Sequence, residues 1–157
     1  MIRVALVDDQ QLVRAGFAMV IDSQPDLEVV LQCGDGAEAV AEIPTAKVDV
    51  VLMDVRMPGV DGITATEQLT AQPDATPKVI MLTTFDLDEY VLRAIKAGAS
   101  GFLLKDTPPE AMLDAIRTVH AGDAVMAPSS TKRLLDHLVG MLPDEERATP
   151  AAPVSYT

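Results

Sequence analysis

The chain has no tryptophan, one cysteine, two tyrosines and three phenylalanines among its 157 residues. Its core must therefore be aliphatic. With Cys33 as the single cysteine, no intramolecular disulfide can form. That thiol reads as a small buried hydrophobe after a strand, in a reducing compartment. Basic residues are scarce too: 12 Lys and Arg stand against 24 Asp and Glu, for a formal net charge of −12. Holding nucleic acid needs clustered cations, so this chain is not expected to bind DNA or RNA by itself. No apolar run approaches the ~20 residues that span a bilayer. No charged leader precedes Ile2, and a soluble, cytoplasmic protein is expected.

What is present is alternation. Apolar runs of strand length take turns with helical patterns, which predicts βαβ units and a parallel sheet. The first helix is expected at about 11–22, with Leu12, Val13, Gly16, Phe17, Val20 and Ile21 on one apolar face. A strand follows from Leu27 to Leu31, then a short helix over about 37–43 that Pro44 should close. Asp61 suits the cap of a helix over about 62–71. Asp86 with Glu89 suits a capping box for a helix ending at Gly98. Thr107, Pro108 and Glu110 read as N-cap, N1 and N3 of a helix ending near Gly122. Five strands and five helices are then complete by about residue 122. A sixth amphipathic helix, about 130–141, carries Leu134, Leu135, Leu138 and Val139, and a Glu-, Pro- and Ala-rich tail begins at Pro143. His120 and His137 read as exposed helix residues.

Four apolar runs end on polar groups. Ile2–Val7 leads into Asp8 and Asp9, Val48–Met53 into Asp54, Val79–Leu82 into Thr83 and Thr84, and Gly101–Leu104 into Lys105. In an open parallel sheet the carboxyl ends of the strands share one edge, and ligands bind in the crevice outside it. Each ending has a plain explanation on its own. Adjacent acids suit a solvated turn, a strand-end lysine can snorkel to solvent, and a threonine can cap a helix. Together they read as a site for a cation and a phosphoryl group. Crowded carboxylates repel unless a cation sits among them, and Mg²⁺ takes oxygen ligands while keeping positions for water and phosphate. Asp54 is then either a ligand alone or a nucleophile that forms an acyl phosphate.

Asp8-Asp9, the stretch from Met53 to Gly62, Leu82-Thr83-Thr84-Phe85 and the stretch from Gly98 to Asp106 resemble the receiver domain of bacterial two-component response regulators. The resemblance covers roughly residues 1–122. The Leu-Thr-Thr-Phe-Asp and Leu-Leu-Lys-Asp segments look most like the NarL/LuxR-type branch, whose members usually carry a C-terminal helix-turn-helix domain. It implies a flavodoxin-like, doubly wound five-stranded parallel sheet of order 2-1-3-4-5 in a three-layer sandwich. Asp54 would accept a phosphoryl group from a sensor histidine kinase. Asp9 would ligate Mg²⁺ directly, Asp8 more often through water, and the Arg56 backbone carbonyl would join them. Thr83 would be the switch hydroxyl, Phe102 the switch aromatic, and Lys105 the lysine of the site. Activation in this branch commonly pairs two receivers through the first and fifth helices.

On this reading residues 1–122 form the receiver, 123–142 an extra amphipathic helix or linker, and 143–157 a disordered tail or linker. DNA would be reached only through a helix-turn-helix domain absent from this chain, since nothing after residue 122 resembles one. A stand-alone receiver acting by protein contact is the alternative. The expected role is a switch, not an enzyme, apart from self-catalysed phosphoryl transfer and autodephosphorylation. A haloacid-dehalogenase-like Mg²⁺-dependent phosphatase would need a second Asp where Arg56 stands. A flavodoxin-like cofactor carrier would need a hydroxyl- and glycine-rich loop where Asp8 and Asp9 stand, and those would repel a phosphate.

Overall fold

The computed structural model describes residues 1–57, 59–71, 77–84, 88–123 and 125–126, with backbone alone for 88–91 and 125–126. Among the described residues the elements are, in order, β1 (Ile2–Val7), α1 (Gln11–Asp22), β2 (Leu27–Cys33), α2 (Gly36–Ala46), β3 (Val50–Asp54), α3 (Gly62–Thr70), β4 (Lys78–Thr83), α4 (Asp88–Lys96), β5 (Gly101–Leu104), α5 (Pro109–His120) and β6 (Val125–Met126). The strands pair in parallel in the order β2-β1-β3-β4-β5-β6. The expected order 2-1-3-4-5 is present. The two-residue β6 adds to it, pairing Gly101 with Val125 and Phe102 with Met126. The sheet therefore runs past residue 122, where the sequence shows no strand-length apolar run.

Burial on both faces is what keeps the strands in register. In β3, Val51 and Met53 join a cluster with Ile43 of α2, Ile63 and Leu69 of α3, Ala94 of α4, and Phe102. Val50 and Leu52 point the other way, to Ile21 of α1 and Met112, Ile116 and Val119 of α5. The period of two along the strand sends alternate side chains to opposite cores. Each fully buried aliphatic side chain contributes about 1.5–3 kcal/mol, so a one-residue slip would be prohibitive.

Three local expectations are corrected. Pro44 does not close α2; it lies inside the helix, which runs to Ala46. Proline there forfeits one bond, to the carbonyl four residues back. Beyond it, Arg3 from β1 donates to the Ala46 and Lys47 carbonyls at 3.0 and 2.9 Å, so the last turn is satisfied from outside. Thr107 does not cap α5. Pro108 takes that position, and the Thr107 hydroxyl donates to the Leu104 carbonyl at 2.6 Å. Short hydroxyl side chains compete for nearby backbone in this way. Leu12, expected on the inner face of α1, is 86% exposed, and Ile21 alone on that helix is fully buried. A groove of about 330 Å³ between α1 and α5 is lined by Leu12, Phe17, Val20, Pro109 and Met112.

Other expectations hold. Asp61 caps α3, its carboxylate accepting from the Thr64 N–H at 2.8 Å. Gly98 ends the α4 segment at φ +99°, a left-handed conformation that glycine adopts without cost. Asp86 of the expected capping box and the expected helix at 130–141 lie outside the described residues.

Candidate functional site

Register brings the four strand ends together. Val7 pairs with Met53, Asp54 with Leu82, and Thr83 with Leu104, so Asp8, Asp54, Thr83 and Lys105 fall on one sheet edge. The loops leave the sheet under backbone control, with Val55 N–H donating to the Leu82 carbonyl at 3.0 Å and Lys105 N–H to the Thr83 carbonyl at 2.8 Å. Close packing holds the β3–α3 connection down. Gly62 N–H donates to the Val55 carbonyl at 3.0 Å, and a Cβ at Gly62 would lie 1.9 Å from the Asp54 carbonyl oxygen. Glycine alone fits there.

Carboxylate oxygens of Asp8, Asp9 and Asp54 lie within 4.8 Å of one another. Asp8 and Asp54 are buried, and Asp9 is exposed. The Lys105 ammonium bridges the buried pair, 3.0 Å from Asp8 Oδ2 and 3.1 Å from Asp54 Oδ2. Two backbone N–H groups complete the frame: Gln10 donates to Asp8 Oδ1 at 2.9 Å and Arg56 to Asp54 Oδ1 at 3.3 Å. The cleft above, about 250 Å³, is lined by Asp9, Gln10, Asp54, Arg56, Thr83, Thr84 and Lys105. Thr83 is buried, and Thr84 is exposed. Phe102 lies behind the cleft, paired with Met81 and buried in the core on the α2–α4 side.

The electrostatics follow from this crowding. Burial and then the neighbouring Asp8 charge push the Asp54 carboxyl above the usual range, with Lys105 opposing them. Burial works against the Lys105 ammonium, yet its contacts with Asp8 and Asp54 outweigh that and raise it. Lys105 therefore stays protonated. Asp8 Oδ2, though within 3.0 Å of that ammonium, is buried and receives no aligned hydrogen bond. A converging carboxylate trio, with two of its oxygens held by backbone N–H groups and the Lys105 ammonium bridging its buried pair, fits a small, hard, oxygen-seeking cation.

Of the seven residues expected at the site, Asp8, Asp9, Asp54, Arg56, Thr83 and Lys105 lie at this sheet edge and Phe102 lies in the core on β5, and one neighbour was missed. Arg14 of α1 sends Nη1 to the Asp8 main-chain carbonyl. Its signal in the sequence is slight: it is the only basic residue on α1, five positions after the acidic pair.

The family model of the response regulator receiver domain matches residues 4–117. The uncharacterized transcriptional regulatory protein YxjL of Bacillus subtilis (strain 168) is 46% identical over 134 residues, 85% of this chain and 61% of that protein. The chain thus spans less than two thirds of that relative's length. The oxygen regulatory protein NreC of Staphylococcus carnosus (strain TM300) is 35% identical over 149 residues, 94% of this chain and 68% of the relative. Among solved structures, a LuxR-family two-component response regulator from Aurantimonas sp. SI85-9A1 superposes with a TM-score of 0.80 at 31% identity, covering 87% of this chain and 97% of that one. The receiver domain of the putative response regulator NarL from Mycobacterium tuberculosis gives 0.73, also at 31% identity, over 77% and 97%. With the strand order and the acidic cleft already described, these likenesses make the chain a member of the response regulator receiver family, in its NarL/LuxR-type branch.

Proposed function

We propose that this chain is a phosphorylation-controlled switch in which Asp54 accepts a phosphoryl group from a sensor histidine kinase. The observation that carries the reading is the Lys105 ammonium held 3.1 Å from a buried Asp54 carboxylate inside a cleft open to solvent. An Asp54 oxygen attacks phosphorus and forms an O–P bond as the donor's P–N bond breaks. The departing imidazole nitrogen is left to take a proton. Lys105 meets the charge gathering on the phosphoryl oxygens, and Thr83, beside it on the same edge, offers a hydroxyl to one of them. Asp8, Asp9, Asp54 and the Arg56 backbone carbonyl would hold Mg²⁺. That ion supplies charge neutralisation between acids and phosphoryl group.

Phosphorylation adds about −1.5 to −2 charges at this edge, which Lys105 and Thr83 reorganise to meet. Phe102, one strand residue behind Leu103, is the packed group through which that movement reaches the face formed by α4, β5 and α5. Output on DNA would come through a helix-turn-helix domain outside this chain. Acetyl phosphate with Mg²⁺ should add one phosphoryl group, read by intact mass, that disappears in Asp54→Asn and with EDTA. A full adduct in Asp54→Asn sinks the assignment.

A further inference from the structure

The three acids of the cleft are not held alike. Asp8 is fixed on all sides: its N–H donates to the Cys33 carbonyl at 3.1 Å, and its carboxylate meets Gln10 N–H and Lys105. Asp54 is fixed by its strand, by Arg56 N–H and by Lys105. Asp9 is exposed, and its carboxylate has no hydrogen bond or ion pair among the described residues. Only its backbone determines where that carboxylate begins.

Arg14 holds that backbone from the other side of the Asp8 peptide, alongside the Asp8 N–H bond to Cys33 and the Gln10 N–H bond to Asp8 Oδ1. Its Nη1 donates to the Asp8 carbonyl, and its Nε is buried with no acceptor among the described residues. A guanidinium partly stripped of water for one backbone bond is poorly explained by fold stability. The peptide unit is planar, so holding the Asp8 carbonyl fixes the plane from which the Asp9 Cα departs. We propose that Arg14 is a positioning residue: by locking the Asp8–Asp9 peptide it keeps the Asp9 carboxylate within reach of Asp8 and Asp54 before a divalent cation arrives. This rests on the Mg²⁺-dependent reading above. A preorganised ligand set lowers the entropic cost of binding, so losing the lock weakens affinity more than it alters the loaded site. The arginine's positive charge, by contrast, opposes a cation. The two effects have opposite signs in Arg14→Ala, which makes them separable.

The test measures Mg²⁺ binding by calorimetry, amide exchange at Asp9 and Gln10 in metal-free protein, and acetyl phosphate labelling against Mg²⁺ concentration. Arg14→Ala should bind Mg²⁺ about tenfold more weakly, the low end for loss of a group supporting a metal ligand. Its Asp9 and Gln10 amides should exchange faster, and the defect in labelling should shrink as Mg²⁺ saturates. Arg14→Lys, which keeps a donor for the carbonyl, should recover much of the affinity. Unchanged or tighter Mg²⁺ binding in Arg14→Ala overturns the proposal. So does a lower melting temperature with core-wide exchange but a wild-type Mg²⁺ requirement. Should Arg14→Ala not fold, Arg14→Gln is read by the same criteria. A wild-type chain that binds no Mg²⁺ would remove the metal reading and Arg14's role together, whereas normal wild-type binding with an indifferent Arg14→Ala overturns the arginine's role alone.

Discussion

Cys33 shows how far one residue's surroundings decide its chemistry. Burial first, and then the charges of Glu38, Glu42 and Asp35, push its thiol up to about 12. A thiol that does not ionise is a poor nucleophile. Labelling by a disulfide reagent at pH 8 should be slow in the native protein and rapid once denaturant opens it; fast native labelling would contradict the burial. The sign of its pH linkage follows. The folded state prefers the neutral thiol, so its contribution is present below pH 9 and declines as pH rises towards 12. Cys33→Ala should flatten part of that alkaline slope in a denaturant titration. Within the cleft, Asp9→Asn should weaken Mg²⁺ binding more than Asp8→Asn does, because Asp9 faces the cleft unpaired while Asp8 is engaged by Lys105. Equal affinity in wild type and Asp9→Asn, measured calorimetrically, would reject direct ligation.

Among the elements, tight approach matters more than propensity. Gly62→Ala would drive a methyl into the Asp54 carbonyl, which is backbone and cannot swing aside. A loss of about 3 kcal/mol is expected, the upper end for overpacking, with poorer labelling of Asp54. A chemical denaturation midpoint matching wild type would show that the β3–α3 connection has room to spare. The two-residue β6 is too short to show a period or a stop signal, but strands β1 to β5 and most helices were legible in the sequence because each carries both, as with Asp61 and Gly98. So were the strand-end groups, since parallel topology collects them on one edge. What escaped was set by partners distant in sequence. Arg3 rescues the end of α2 beyond Pro44 from more than forty residues away. Thr107 turns back to Leu104 instead of forward to α5. Nothing in the local pattern of α1 marks Leu12 as exposed, since its apolar stripe is wider than the surface it meets. Arg14 gave only a slight signal for a related reason, its partner being a backbone atom with no sequence signature.

For the molecule as a whole, net charge and exposed apolar side chains set the character of the surface. A formal charge of −12 opposes contact with nucleic acid, and α1 presents Leu12, 86% exposed, at the groove towards α5, and Met19, 76% exposed. Beryllofluoride with Mg²⁺, a mimic of the phosphorylated state, should shift monomer towards dimer in light scattering. The same mass with and without the mimic over a wide concentration range would count against pairing through these helices. No helix among the described residues is long and apolar enough to cross a membrane. The short β6 has a mechanical corollary. It is zipped to β5 with Met126 opposite Phe102, on the strand that runs straight into Lys105. The rim of the sheet at Met126 is consequently tied by backbone pairing to the strand that delivers the cleft's ammonium.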